Sequence, residues 1–150
     1  VNLDFIYAAL LWPIIQERMG HYLSSGLPPA QALHKSATRA LNTQIKHTAI
    51  PRRFSTVMRE MWELQLRLDK RAGKRADAMM EHPRFRAAYD FLLLREQAEE
   101  IKPGLGDWWT RYQEQDEQGR RQMISELGNQ PGGGGNKRRR RRRKKPAAEG

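Results

Sequence analysis

The chain has 150 residues, enough for one compact domain with its own hydrophobic core. Its 28 Lys and Arg residues outnumber its 17 Asp and Glu residues, which gives a formal net charge of +11, and it contains no cysteine. Disulfides, thiolate metal sites and thiol redox chemistry are therefore excluded, and a reducing cytoplasm is the expected location. The excess positive charge favours an anionic partner.

The first helix is expected over about 3–24, with Pro13 as a point where it bends. Its apolar run is about half the ~20 residues that a membrane-spanning helix needs, so membrane insertion is not expected. Pro28-Pro29 then opens a second helix over about 29–47, whose apolar stripe runs from Leu33 to Ile45. The chain begins with Val, as expected of a piece of a longer protein.

Pro51 fits the first turn of a third helix, in which apolar residues continue at helical spacing from Phe54 to Leu68. Gly73 is expected to end or bend this helix, and a short helix over about 74–81 follows. Pro83 then disfavours helical geometry in the residue before it and resets the chain.

The clearest amphipathic helix follows Pro83, with its apolar residues at i, i+3, i+4, i+7 and i+8: Phe85, Ala88, Tyr89, Leu92 and Leu93. Pro103-Gly104 breaks the chain before a segment with Trp108, Trp109 and Tyr112, and a weak helix is expected over about 118–127. No alternating β-branched run is present, so the predicted fold is all-α, a compact bundle of short helices.

Most of the excess charge lies near the end of the chain. Residues 131–150 contain nine basic side chains and one acidic side chain, so they contribute +8 and the remaining residues +3. The nine cations are consecutive: Lys137, Arg138, Arg139, Arg140, Arg141, Arg142, Arg143, Lys144 and Lys145. A run of glycines precedes them and nothing apolar accompanies them, so the sequence predicts a disordered tail that binds polyanions with little specificity.

Five further cations recur at helical spacing: Arg67, Lys70, Arg71, Lys74 and Arg75. On a continuous helix they form one stripe that can follow a phosphate backbone, whereas a break at Gly73 would split the stripe. A solvated helix face is the alternative interpretation, because acidic residues precede and interrupt the stripe: Glu60, Glu63, Asp69 and Asp77. Four arginines on neighbouring helices extend the basic character, and their planar guanidinium groups suit phosphate: Arg52, Arg53, Arg84 and Arg86.

Aromatic residues are also candidate contacts if the anionic partner is a nucleic acid, because unpaired bases stack on exposed rings. Trp62 and Tyr89 have core spacing and are expected to pack inside. Of Trp108 and Trp109, one ring is expected to be buried and the other exposed. No two aspartates lie two residues apart and no histidines have metal-ligand spacing, so the sequence predicts no catalytic residue and no metal site.

Two segments resemble the C-terminal region of bacterial poly(A) polymerases, within the nucleotidyltransferase and CCA-adding enzyme superfamily. They are Arg-Leu-x-x-Arg-x-Gly-Lys-Arg-Ala at 67–76 and Glu-His-Pro-x-Phe-Arg-Ala-Ala-Tyr-Asp at 81–90. The resemblance is tightest over 51–95 and implies that the basic residues above bind RNA, mainly single-stranded 3′ regions. It also implies RNA-decay proteins as partners. It implies no cofactor in this chain, because ATP and Mg²⁺ are expected in a catalytic part that these residues lack.

On this basis residues 1–50 are expected to continue from a preceding domain, 51–130 to form a helical RNA-binding domain, and 131–150 to be the tail. Two other hypotheses remain open. The chain can be the tRNA-binding part of a CCA-adding nucleotidyltransferase. It can also be a non-enzymatic helical interaction module whose polycationic tail binds acidic proteins or membranes.

Overall fold

The computed structural model describes residues 3–47 and 50–128, apart from the side chain of Ile45, and within these residues it has seven helices and no strand. The helices are α1 (Leu3–Ser24), α2 (Pro29–His47), α3 (Arg52–Gln65), α4 (Arg75–Glu81), α5 (Phe85–Gln97), α6 (Leu105–Glu114) and α7 (Glu117–Leu127). The all-α prediction is confirmed. The predicted tail at 131–150 lies outside the described residues.

The first two helices begin and end where the sequence predicts. Gly26 follows α1 with a positive φ of 95°, a conformation that glycine adopts without strain. The Gly26 N–H donates to the Leu23 carbonyl at 3.0 Å, and the Leu27 N–H donates to the Tyr22 carbonyl at 3.1 Å. This pair of hydrogen bonds is a Schellman motif, which satisfies carbonyls at the end of α1.

The third helix is shorter than predicted. Helix α3 ends at Gln65, and turns occupy most of the segment up to Lys74, so the prediction of a helix continuing to Leu68 and ending or bending at Gly73 is wrong. Leu68 is nevertheless fully buried, and its N–H still donates to the Leu64 carbonyl at 3.0 Å. The apolar spacing therefore continues past the end of the helix because Leu68 is needed in the core.

The buried side chains form two clusters, and α3 contributes to both. The first cluster joins α1, α2 and the first part of α3 with Phe91 of α5. The second cluster joins the end of α3 with α4, α5, α6 and α7. Met58, Met61 and Trp62 lie in the first cluster, and Leu64 lies in the second. Helix α3 thus holds the two halves of the bundle together.

A network of hydrogen bonds around Glu100 and Arg95 links α1 to α3. The Glu100 Oε1 atom accepts from Trp12 Nε1 at 2.8 Å, from Gln16 Nε2 at 2.5 Å and from Arg95 Nε at 3.0 Å. Arg95 Nη1 also donates to the side-chain oxygen of the buried Gln65 at 3.1 Å. One carboxylate therefore fixes the relative positions of three helices through charge-assisted hydrogen bonds.

Helix α1 also exposes apolar side chains on the face opposite its core contacts: Leu3, Ile6, Leu10 and Ile14. Ala8, Leu11, Trp12, Ile15 and Met19 on its other face are buried. Among the described helices none is both long and apolar enough to cross a membrane.

A substitution at Gly106 tests how closely α5 packs against α6. A Cβ atom at Gly106 would lie 2.6 Å from Leu93 Cδ2 and 2.7 Å from Glu96 Oε2, and the Gly106 N–H donates to Glu96 Oε1 at 2.7 Å. We expect Gly106→Ala to lower the free energy of unfolding by about 1–2 kcal/mol, because Glu96 must move and weaken this bond. Urea denaturation measures the change.

The control is Gly20→Ala, since Gly20 lies inside α1 and a Cβ there meets no atom within 4 Å. That substitution is expected to stabilise the chain by roughly 0.5–1 kcal/mol. Equal effects of the two substitutions would show that α5 and α6 are not closely packed at Gly106.

Candidate nucleic-acid interface

Three cations that the sequence singled out surround one surface pocket. Arg67 and Lys70 lie in the segment between α3 and α4, and Arg75 is the first residue of α4. With Ala78 and Met79 they line a cavity of about 300 Å³, which we call the cationic pocket. All three basic side chains are exposed to solvent. The end of α3 therefore brings these residues together without the continuous helix that the stripe prediction assumed.

The charges at this pocket have no acidic partner. Among the described residues, no carboxylate lies within 4.0 Å of the charged groups of Arg67, Lys70, Lys74 or Arg75. Their side chains also make no hydrogen bond within that part of the chain. Because basic side chains bind anions most strongly when no internal carboxylate competes, the pocket is available to a phosphate group.

Asp77 is the acidic residue of α4 closest in sequence to the pocket, and its carboxylate is already engaged. Asp77 Oδ1 accepts from the Tyr112 hydroxyl at 2.5 Å, and Oδ2 accepts from Arg121 Nη2 at 2.5 Å. The hydrogen bond from Tyr112, together with those of Arg121, lowers the pKa of Asp77. Asp77, which the sequence suggested as an interruption of the stripe, is thus bound by residues of α6 and α7.

Arg71 is the one stripe residue that packs inward. Its guanidinium lies 4.7 Å from the centre of the Trp108 ring, within cation–π range. Partial burial lowers the pKa of Arg71 from its usual value, with Asp69 opposing the shift. Arg71 therefore covers Trp108 and contributes to the pocket mainly by holding the segment in place.

Trp109 anchors the same segment from below. Its indole N–H donates to the Leu68 carbonyl at 2.9 Å, between the two cations Arg67 and Lys70. Both Trp108 and Trp109 are buried, with 7% and 0% of their surfaces exposed. The prediction that one ring of this pair is exposed is wrong, because both rings support the cationic segment. Trp62 and Tyr89 are buried, as predicted.

The four remaining arginines that the sequence proposed as RNA contacts lie at the beginnings of α3 and α5. Arg52 and Arg53 are exposed in the first turn of α3. Arg84 forms an ion pair with Glu60 at 3.0 Å, and Arg86 faces Asp90 at 3.6 Å. Arg84 and Arg86 are therefore partly neutralised, in contrast to the cations of the pocket.

The predicted tail cations, Lys137 to Lys145, lie outside the described residues. Within residues 3–47 and 50–128, no group of three or more His, Asp or Glu side chains is arranged to hold a metal ion. The described residues therefore do not fit the magnesium ions on which nucleotidyltransferases depend.

Comparison with known proteins then assigns the family. The model of the family described as "Polymerase A arginine-rich C-terminus" matches residues 25–145. The chain belongs to this family. The cationic pocket and helices α2 to α7 of this polymerase A C-terminus lie inside the matched range, and α1 precedes it. The resemblance inferred from the two sequence segments is confirmed.

Individual relatives of this polymerase A C-terminus agree with the family match. The chain is 38% identical over 135 residues to "Poly(A) polymerase I" of Salmonella typhi, with 87% of the chain and 29% of the relative covered. It is 37% identical over 135 residues to the Escherichia coli O157:H7 protein of that name, with the same coverage. The Haemophilus influenzae protein is 35% identical over 131 residues, with 84% and 28% covered. The chain thus spans less than a third of the length of these relatives.

Sequence reasoning missed the residues that hold the pocket in place. Tyr112 and Arg121 are 35 and 44 residues from Asp77 in the chain, and Trp109 is 41 residues from Leu68. No local pattern links residues this far apart. The only signal in the sequence was the concentration of aromatic residues at 108–112.

The attachment of α4 to α6 through Tyr112 and Asp77 can be tested by varying the pH, because the Tyr112 phenol is buried. Burial, and secondarily the hydrogen bond to Asp77, raises the pKa of Tyr112 from 10.0 to about 12. Because the folded state holds this proton more tightly than the unfolded state, the stabilisation is complete below pH 10 and is lost as the pH rises to 12. We expect Tyr112→Phe to remove this loss, which amounts to at most about 3 kcal/mol.

Urea denaturation of both proteins between pH 8 and pH 12 measures the difference, and subtracting the two curves cancels the titration of all other groups. The control is Tyr7→Phe, because the Tyr7 hydroxyl makes no hydrogen bond within the described residues. Parallel alkaline curves for the unaltered chain and Tyr112→Phe would contradict the assignment.

Proposed function

We propose that this chain binds single-stranded RNA and holds it for 3′-end polyadenylation, as the RNA-binding C-terminal part of a bacterial poly(A) polymerase. The observation that supports the proposal best is the cationic pocket, in which Arg67, Lys70 and Arg75 surround one cavity and have no carboxylate partner among the described residues. Membership of the polymerase A family and the nine consecutive cations of the tail support the same partner.

The pocket suits a phosphate group in both charge and shape. Two arginines and one lysine place several N–H donors around the same cavity. One arginine can bind two oxygen atoms of a phosphate at once. RNA presents one phosphate per nucleotide, so one phosphate occupies the pocket and its neighbours extend along the surface. The contact is to the backbone and is therefore tolerant of sequence.

The arginines at the beginnings of α3 and α5 extend this path. Helix α3 has 14 residues and is about 20 Å long, so Arg52 and Arg53 lie about that far from the pocket at its other end. Several nucleotides of single-stranded RNA span this distance. The tail then adds long-range attraction that draws RNA towards the folded part.

The burial of both tryptophans supports recognition through phosphates rather than through stacking on Trp108 or Trp109. The role of the chain is to hold the RNA while its 3′ end lies in a nucleotidyltransferase site formed elsewhere, where ATP and Mg²⁺ bind. Because polyadenylated RNA is a substrate for decay, the proposal includes RNA-decay proteins as partners and the cytoplasm as the location.

The central test is charge removal at the pocket. In residues 1–130, the triple substitution Arg67→Gln, Lys70→Gln and Arg75→Gln is expected to weaken binding to single-stranded RNA. It should also reduce the salt slope by about 2, since each phosphate contact on a single strand contributes roughly 0.7. Fluorescence anisotropy across a salt series measures both quantities.

The matched control removes three exposed cations that do not line the pocket: Arg39, Lys46 and Lys102. Both triple variants lose the same net charge, so general electrostatic attraction falls equally. If the pocket variant loses no more affinity than the control, the pocket is not an RNA site.

A second test separates the folded part from the tail. Residues 1–150 and 1–130 are compared with the same RNA, and the tail is expected to add up to about 6 to the salt slope if all nine of its cations are engaged. Residues 1–130 are expected to keep salt-dependent binding. Complete loss on truncation would favour the interaction module, and a preference for folded tRNA would favour the CCA-adding enzyme.

A further inference from the structure

A second cavity of about 500 Å³ lies between the beginnings of α1 and α5, against α3. We call it the α1–α5 groove. Its apolar walls come from all three elements and from the turn before α5: Phe5, Val57, Pro83 and Ala87. Phe5 and Val57 are half-buried against the first cluster of the core, so these walls are held firmly. The groove therefore offers an apolar surface in an open cleft.

The charged residues of this groove balance one another, unlike those of the cationic pocket. Arg84 and Arg86 lie on one side, and Asp4 and Asp90 complete the lining. Arg84 is in addition paired with Glu60 at 3.0 Å. Without excess positive charge the groove does not favour a phosphate. It suits a ligand group that is neutral, has an apolar face and makes polar contacts at its edge.

Each aspartate of the groove keeps one oxygen atom available. Asp4 Oδ1 accepts the Phe5 N–H at 2.7 Å, and Asp90 Oδ1 faces Arg86 Nε at 3.6 Å. The second oxygen of each carboxylate makes no hydrogen bond or ion pair within the described residues. A carboxylate accepts hydrogen bonds and cannot donate them, so a ligand that matches this edge must bring N–H or O–H donors.

We propose that the α1–α5 groove binds one nucleobase of single-stranded RNA, a base with an exocyclic amino group. The face of the base lies on the apolar walls, and its amino group donates to Asp90. Single-stranded RNA exposes both the faces and the edges of its bases for such contacts. This proposal rests on the proposed RNA function and assigns base recognition to a different place from phosphate recognition.

The position of Arg86 agrees with a bound nucleotide. Three quarters of its side-chain surface is exposed at the rim of the groove, so its guanidinium can reach the phosphate attached to the bound base while it faces Asp90. Three residues of the segment Glu81–Asp90 lie in the second core cluster: Phe85, Ala88 and Tyr89. Five others line the groove, which gives them a function: Pro83, Arg84, Arg86, Ala87 and Asp90.

The test compares two RNA oligomers that differ only in the amino group. One is an oligoadenylate, and the other has purine riboside, which lacks the exocyclic amino group, at every position. The unaltered chain of 150 residues is expected to bind the oligoadenylate about tenfold more tightly, as one hydrogen bond to a charged acceptor allows. Fluorescence anisotropy at fixed salt measures both affinities.

The diagnostic variant is Asp90→Ala, which is expected to abolish this preference. Its control is Asp107→Ala, since Asp107 is exposed on α6 and has no ion pair within the described residues. Both variants lose one negative charge, so non-specific attraction to RNA rises equally. Asp107→Ala is expected to keep the tenfold preference.

A second variant, Ala87→Leu, fills the groove without changing the charge. It is expected to lower the affinity for the oligoadenylate to that for the amino-free oligomer, while thermal unfolding monitored by circular dichroism shows that the helices remain. Equal affinity of the unaltered chain for the two oligomers would overturn the base site and leave backbone binding intact. Absence of binding to both oligomers would instead overturn the proposed function itself.

Discussion

The hydrogen bond from the Trp109 indole to the Leu68 carbonyl determines the course of the chain between α3 and α4. A buried carbonyl that loses its helical partner needs another donor, and Trp109 supplies it from α6. Because the bond is made at the end of α3, the chain can turn there while Leu68 stays in the core. This turn places Arg67 and Lys70 beside Arg75.

The same region separates positive from negative charge. Tyr112 and Arg121 engage Asp77, and Trp108 lies beneath Arg71, so the remaining cations face solvent without an ion-pair partner among the described residues. At the α1–α5 groove the arginines are instead matched by carboxylates. Two surfaces of similar composition thus acquire different chemistry, one suited to an anion and one to a neutral polar group. This difference arises from tertiary contacts together with the local pair Arg86–Asp90 on α5.

Local sequence was sufficient for most of the helices because their ends are marked. Glycine with positive φ follows α1, and prolines precede α2, α3 and α5. The end of α3 was not predictable, since Leu64 and Leu68 keep helical spacing and no glycine or proline separates them. The prediction that one ring of Trp108 and Trp109 is exposed was wrong for a related reason: Arg71, which covers Trp108, is 37 positions away. Contacts between distant residues decided both cases.

The position of α3 between the two core clusters has a consequence for cooperativity. If the first cluster opens, Met58, Met61 and Trp62 lose their partners, and the helix that also supports Leu64 is weakened. The two halves are therefore coupled and unfold as one unit, in the manner of small two-state domains. Substitutions in the contact between α1 and α2 will consequently change how often the distant cationic pocket exists in its assembled form. Variants that weaken the proposed RNA binding should therefore be sought in the core as well as on the basic surface.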